Sequence, residues 1–245
     1  MSMSFANPIN LNKPYLTIPI EDCGEPLITI PSEIFRIDLP HPYIKLGADY
    51  QGASPYCLRQ SVLAALIKAQ EYLIWQYPGW QLKIFDAYRP VEVQSYMVRH
   101  TFNALSGEKK IKQENLSDAE IDSIWQRVYT IWAIPSDNPQ TPPPHSTGAA
   151  VDLTLVDETG KEIDMGGEID ELSDRSLPNY YADKPEYELY QLRRDILLNV
   201  MIKAGFKRHL GEWWHFSLGD QMWTWQYNQE QTKEKLTAKY GRIII

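Results

Sequence analysis

The sequence predicts a single α+β domain, a central antiparallel sheet flanked by helices, and three observations predict it. Stretches of helical apolar spacing are single and separated, the short strand-like runs between them form hairpins, and no hydrophobic or charge break divides the 245 residues. With 43% apolar and 12% aromatic residues the chain has an ordinary globular core rather than a disordered composition. We read residues 1–42 as an extended arm, 43–225 as the domain and 226–245 as a peripheral tail.

Seven prolines in the arm (Pro8, Pro14, Pro19, Pro26, Pro31, Pro40 and Pro42) remove donors and fix φ, so it should wrap the domain without forming helices. Residues 43–52 read as a short strand and a turn, with Tyr50 either walling a pocket or packing as a surface aromatic. Over residues 57–77, Leu58, Val62, Ala65, Leu66, Ala69, Leu73 and Ile74 recur at steps that describe an amphipathic helix, stopped by Pro78-Gly79. Trp80, Leu82, Ile84 and Asp86 then alternate as in a strand that ends at Tyr88-Arg89-Pro90.

Pro90 suits the first turn of a helix over 91–105, which puts Arg89 at the positive helix end, where a cation is unfavourable. Arg89 therefore either holds a developing negative charge or bridges to Asp86 or Glu92. A further helix over 118–132 opens with Ser117 and Glu120 in capping-box register. Five prolines between Ile134 and Pro144 make a stiff approach to His145. Residues 150–156 form a buried strand carrying Asp152 inward, which is costly unless the carboxylate is hydrogen-bonded or binds a metal.

Residues 157–160 form a turn and 168–174 an acidic loop. A helix over 185–204 should bury Leu189, Leu192, Ile196, Leu197, Val200 and Met201 before Gly205 caps it. The last core strands are 206–210 and 213–218.

A net charge of −8 and the lack of a clustered basic face exclude a nucleic-acid partner. Lys109-Lys110 and Arg193-Arg194 read as solvated surface. The longest apolar run, residues 62–67, is too short to span a bilayer, and the first residues lack the pattern of an export signal, so we expect a cytoplasmic protein. Cys23 and Cys57 form no C-x-x-C pair, which argues against thiolate zinc and a disulfide framework.

Of the five histidines, His41 lies between prolines in the arm, His100 is a lone helical histidine and His209 sits in a basic strand. His145 and His215 remain, and with Asp152 they make three ligands for a hydrolytic zinc site that keeps one open position. Glu212, three residues before His215, can share that site only if Gly211 turns the chain, since residues three apart in a strand face opposite sides. It would then take a proton from the attacking water.

Asp86-Ala87-Tyr88-Arg89-Pro90, His145-x-x-Gly148-x-Ala150-x-Asp152 with Leu153-Thr154-Leu155, Asp164-Met165-Gly166 and Glu212-Trp213-Trp214-His215 follow one another in the order of a known family. In these motifs residues 43–218 resemble the D-alanyl-D-alanine dipeptidases, zinc peptidases that share a fold with the hedgehog signalling domain. The resemblance implies zinc on His145, Asp152 and His215, Glu212 as base, Arg89 as transition-state cation, and Asp170 near the substrate's amino group. One departure stands out: the family's Ser-x-His is here Pro143-Pro144-His145, without a hydroxyl to hold the dipeptide's carboxylate, which leaves Ser146 or Thr147 for that task.

The leading expectation is a zinc dipeptidase cleaving D-Ala-D-Ala or a close D,D-dipeptide. A D,D-carboxypeptidase acting on peptidoglycan stems and a non-catalytic zinc-stabilised binding module are the alternatives.

Overall fold

β5 (Ala150–Val156) is buried along all seven residues, as in a strand covered on both faces. In the computed structural model, which describes residues 13–108, 116–231 and 234–244, β4 (Gln81–Asp86) lies antiparallel on one side of β5 and β7 (His215–Ser217) on the other. Short edge strands complete the sheet: β6 (Lys207–Arg208) beside β7, and β2 (Arg36–Ile37) beside β4. The β2–β4 pairing is parallel, so the α+β class holds while the sheet is not wholly antiparallel. A separate antiparallel pair joins β1 (Leu27–Thr29) to β3 (Cys57–Arg59).

Val151, Leu153 and Leu155 of β5 join Leu82, Ile84, Trp214 and Phe216 in one core, covered by α2 (Gln60–Gln76) and α5 (Glu188–Lys203). A second core gathers Tyr43, Val93, Met97, Phe102 and Trp125 from α1 (Pro42–Lys45), α3 (Val91–Glu108) and α4 (Asp118–Val128). Asp152, between Val151 and Leu153, points away from the first core.

The register places the site. Asp86 and His215 both lie opposite Asp152, one from each neighbouring strand. Simple alternation would keep Asp86 on the core face with Leu82 and Ile84. A register shift between Ile84 and Asp86 inserts Phe85 as an extra residue and turns Asp86 to the Asp152 face.

Several expectations are corrected. Residues 42–45 are a helical turn, not a strand, because Pro42 sits in the first turn and His41 Nδ1 accepts from Tyr43 N–H. The segment before α2 is strand β3, and α4 ends at Val128. In α5, Leu189 and Leu192 are exposed while Arg194 is buried. Arg194 donates to the carbonyls of Met165, Leu177 and Arg175, so it is a strut for the loop between them and not solvated surface. Lys109-Lys110 lies outside the described residues.

The tail is not peripheral either. After α6 (Gln221–Glu230), Ala238 bridges to Ile20 of the arm and Tyr240 is buried in the first core. Among its described residues the arm forms a 3-10 turn, Pro14–Thr17. No helix among the described residues is long and apolar enough to cross a membrane.

Candidate active site

His145 is delivered by a 3-10 turn, Pro144–Thr147, that ends on Gly148 in the left-handed region at φ 70°. That conformation favours glycine, and a Cβ there would also displace Leu27, whose Cδ2 would stand 2.5 Å away. His145 Nδ1 lies 2.7 Å from the Ala87 carbonyl oxygen, which makes it the donor and aims the Nε2 lone pair the other way. There Nε2 lies 3.1 Å from His215 Nδ1 and 3.2 Å from Asp152 Oδ2, and His215 Nδ1 lies 2.9 Å from Asp152 Oδ1.

These three side chains fit a tetrahedral zinc ion. Ligand atoms at 2.0–2.1 Å in tetrahedral geometry stand roughly 3.3 Å apart, and the triangle of donors has nearly that edge. They form a metal-competent group among the described residues, all three buried. Two imidazole nitrogens facing each other across a carboxylate are the donor chemistry of a divalent cation.

Around the triangle, Glu212 lies on the bend before β7, with Oε2 3.8 Å from His215 Nδ1 and Oε1 3.4 Å from His209 Nδ1. Its neighbour Trp213 is tied by its N–H to the Ser176 carbonyl. Arg89 is buried: Nε donates to Asp86 Oδ2 at 2.9 Å and Nη1 to Gln94 Oε1 at 2.8 Å. Its Nη2 lies 2.7 Å from Asp86 Oδ2, 3.2 Å from Tyr43 Oη and 3.3 Å from Asp152 Oδ2. Asp170, itself at φ 64°, accepts from Tyr43 Oη at 2.7 Å.

Arg89, Asp170, Glu212 and the three candidate ligands thus line one cavity of about 90 Å³. Tyr50 and Ser146 do not. The Tyr50 hydroxyl donates to Asp86 Oδ1, and Ser146 Oγ donates to the Arg89 carbonyl, so both stand behind the cavity wall and position Asp86 and Arg89. Thr147 Oγ1 donates to the Pro144 carbonyl.

Sequence reasoning missed Tyr43, His41, Gln94 and His209. His41 Nε2 lies 3.1 Å from Asp86 Oδ1, and His209 lines the cavity. The one available signal was the crowding of aromatic and imidazole side chains at His41, Tyr43 and Tyr50, which fits a polar pocket as well as a turn.

The electrostatics follow from burial and crowded acids. Burial works against charge on Asp152, but His145 and His215 outweigh it and hold the carboxyl well below the usual range. Burial likewise opposes charge on Asp86, yet Arg89, with His41 and His145, brings it to about 2. For Asp170 the balance is reversed: burial and then the Asp152 charge outweigh Arg89 and the Tyr43 hydroxyl and push it to about 7. Glu212 is raised well above its ordinary value by burial, then by Asp152 and Asp170. Burial and the neighbouring His215 and Lys13 bring His209 down to about 3, so it is neutral.

Residues 37–234 match the family model described as D-ala-D-ala dipeptidase, Peptidase_M15. The chain belongs to that family. It is therefore a metallopeptidase of the D-ala-D-ala dipeptidase family. A D-alanyl-D-alanine dipeptidase of Synechocystis sp. is 52% identical over 98% of this chain and 100% of its own length. A D-alanyl-D-alanine dipeptidase of Escherichia coli is 32% identical over 66% of each chain. The solved LdcB LD-carboxypeptidase covers 81% of this family member and 69% of its own chain at a TM-score of 0.43 and 13% identity.

Proposed function

We propose that the chain is a zinc-dependent D-Ala-D-Ala dipeptidase, and the observation that carries the reading is a metal-competent triangle sharing one small cavity with Glu212. Two relatives that bear this activity in their names support it, one over its whole length. His145 Nε2, Asp152 and His215 Nδ1 would hold the ion, which when bound lowers the pKa of water and polarises a carbonyl.

The residues of the chain then divide the work. Glu212, made a stronger base by burial and by its acidic neighbours, takes the proton of the attacking water and returns it to the leaving amine. The Nη2 corner of Arg89, whose contacts to Tyr43 and Asp152 are its longest, turns to the oxyanion that develops on the carbonyl. Asp170, oriented by Tyr43 Oη, accepts the substrate's ammonium group. Asp86, His41 and Tyr50 hold the Arg89 side chain in place.

Cavity size favours a dipeptide over a peptidoglycan stem. At about 90 Å³ the cavity is small, and a longer peptide would need an open groove. The test is a zinc-loaded Glu212→Gln protein assayed for metal content and for D-Ala release from D-Ala-D-Ala, with L-Ala-L-Ala alongside wild type. We expect full metal content and a 10²–10⁴-fold loss of kcat. Undiminished turnover would remove Glu212 from its role, and faster hydrolysis of the L,L compound would overturn the substrate.

A further inference from the structure

The cavity is lined by two cations, and they are placed differently. Arg89 has its guanidinium committed to Asp86, Gln94, Tyr43 and Asp152. Lys13 enters from the arm, half-buried in the cavity lining. Among the described residues its ammonium has no hydrogen-bonded or ion-paired partner. It also lies outside residues 37–234, the part matched by the family model.

The charges of the cavity have a direction. Glu212 feels both Asp170 and Lys13, whereas Glu212 is the one carboxylate acting on Lys13. An acid suited to an amine thus sits beside Tyr43, and a cation suited to an anion lines the same cavity. The side chains flanking His145 in sequence are engaged or offer nothing to an anion. Ser146 Oγ is bonded to the Arg89 carbonyl, Thr147 Oγ1 to the Pro144 carbonyl, and Pro143 offers neither hydroxyl nor N–H.

We propose that Lys13 is the specificity residue for the substrate's free C-terminus, its ammonium pairing with the carboxylate of the dipeptide whose amino group Asp170 holds. The inference rests on the dipeptidase reading. It gives the arm a task that its anchoring supports. Leu16 N–H donates to the Lys13 carbonyl and closes the 3-10 turn. Gln221 Nε2 donates to the Ile18 carbonyl at 2.7 Å and to the Gln140 carbonyl at 2.9 Å. Ala238 N–H donates to the Pro19 carbonyl at 2.8 Å. The arm is thus fastened to α6 and to the tail, and Lys13 is held in the cavity wall. A substrate extended beyond its second residue would present a neutral amide where the carboxylate belongs, so Lys13 also selects for length.

The test uses the full chain, zinc-loaded, as wild type, Lys13→Ala and Lys13→Arg, with D-Ala-D-Ala and its C-terminal amide as substrates. Wild type should prefer the acid. Lys13→Ala should raise KM for the acid about 10- to 100-fold, the scale of one hydrogen bond to a charged group. Its kcat should stay within a few-fold of wild type and its kinetics on the amide should not change, so the preference collapses. Lys13→Arg should retain it.

An unchanged acid-to-amide preference in Lys13→Ala overturns the proposal. So does a fall in kcat with a displaced pH profile at constant KM, which would assign Lys13 to tuning Glu212. A wild type inert toward both compounds would instead sink the dipeptidase reading itself, so the two failures are distinguishable.

Discussion

Replacing Arg89 by methionine separates its structural from its chemical role. Asp86 has no solvent exposure, and Arg89 contacts it through both Nε and Nη2, so Arg89→Met leaves a buried carboxylate whose remaining polar partners are His41, Tyr50 and His145. Removing one member of a buried pair costs about 3–5 kcal/mol. For a chain of this length that lowers Tm by roughly 6–20 °C. Adding Asp86→Asn removes the stranded charge, so the double variant should regain at least half of the lost stability. It should regain no turnover, because the group facing the developing oxyanion is still absent, at a cost of about 10²–10³ in kcat. Thermal unfolding of the metal-free proteins by circular dichroism and D-Ala release by the zinc-loaded ones read the two effects. If Asp86→Asn rescues activity along with stability, Arg89 serves only to neutralise Asp86. If it rescues neither, the stranded carboxylate is not the source of the cost.

Asp170 and Tyr240 supply two further tests. The folded pKa of Asp170, about 7, lies above its ordinary 3.8, so between these values the native protein binds more protons than the unfolded chain. Stability of the metal-free enzyme should therefore fall as pH rises from about 4 to 7 and level off above. Urea midpoints across that range should show a shallower fall in Asp170→Asn, and an unaltered slope would refute the assignment. Tyr240 is buried at 2% exposure, its hydroxyl donates to Glu25 and its ring lies 5.4 Å from the Arg59 guanidinium carbon. Tyr240→Ala should cost about 3–5 kcal/mol, as for other large aromatics, and should speed proteolytic cleavage in the arm. A variant as stable and as resistant as wild type would return the tail to the periphery.

Much of the fold was legible because period and burial agree locally. The 17 residues of α2 and the seven of β5 carry unambiguous patterns, and Ser117 and Glu120 form the capping box their spacing describes. The errors fall where tertiary contacts overrule a short pattern. At residues 43–46 an alternation of apolar and polar side chains resembles a strand, yet Ile44 and Leu46 are exposed and the backbone follows the cap and Pro42 into a helical turn. Leu189 and Leu192 have the period of a buried face, but the face turned inward carries Arg194, Leu197, Val200 and Met201, with Arg194 bonded to three carbonyls.

The candidate site divides along the same line. His145, Asp152, Glu212 and His215 could be picked out because a buried acid in an aliphatic strand and two imidazoles outside helices have few cheap structural explanations. The residues that hold them could not, since each depends on a feature without a sequence signature. Asp86 reaches the site through an irregularity in β4. Tyr43 reaches it from a four-residue helix, and Lys13 from an arm whose position is set by a tail more than 200 residues away. A single extra residue at Phe85 decides whether Asp86 stands on the Asp152 face, where it meets the guanidinium of Arg89. The register of three strands, more than any one side chain, therefore brings a cation, two carboxylates and two imidazoles within hydrogen-bonding distance of each other.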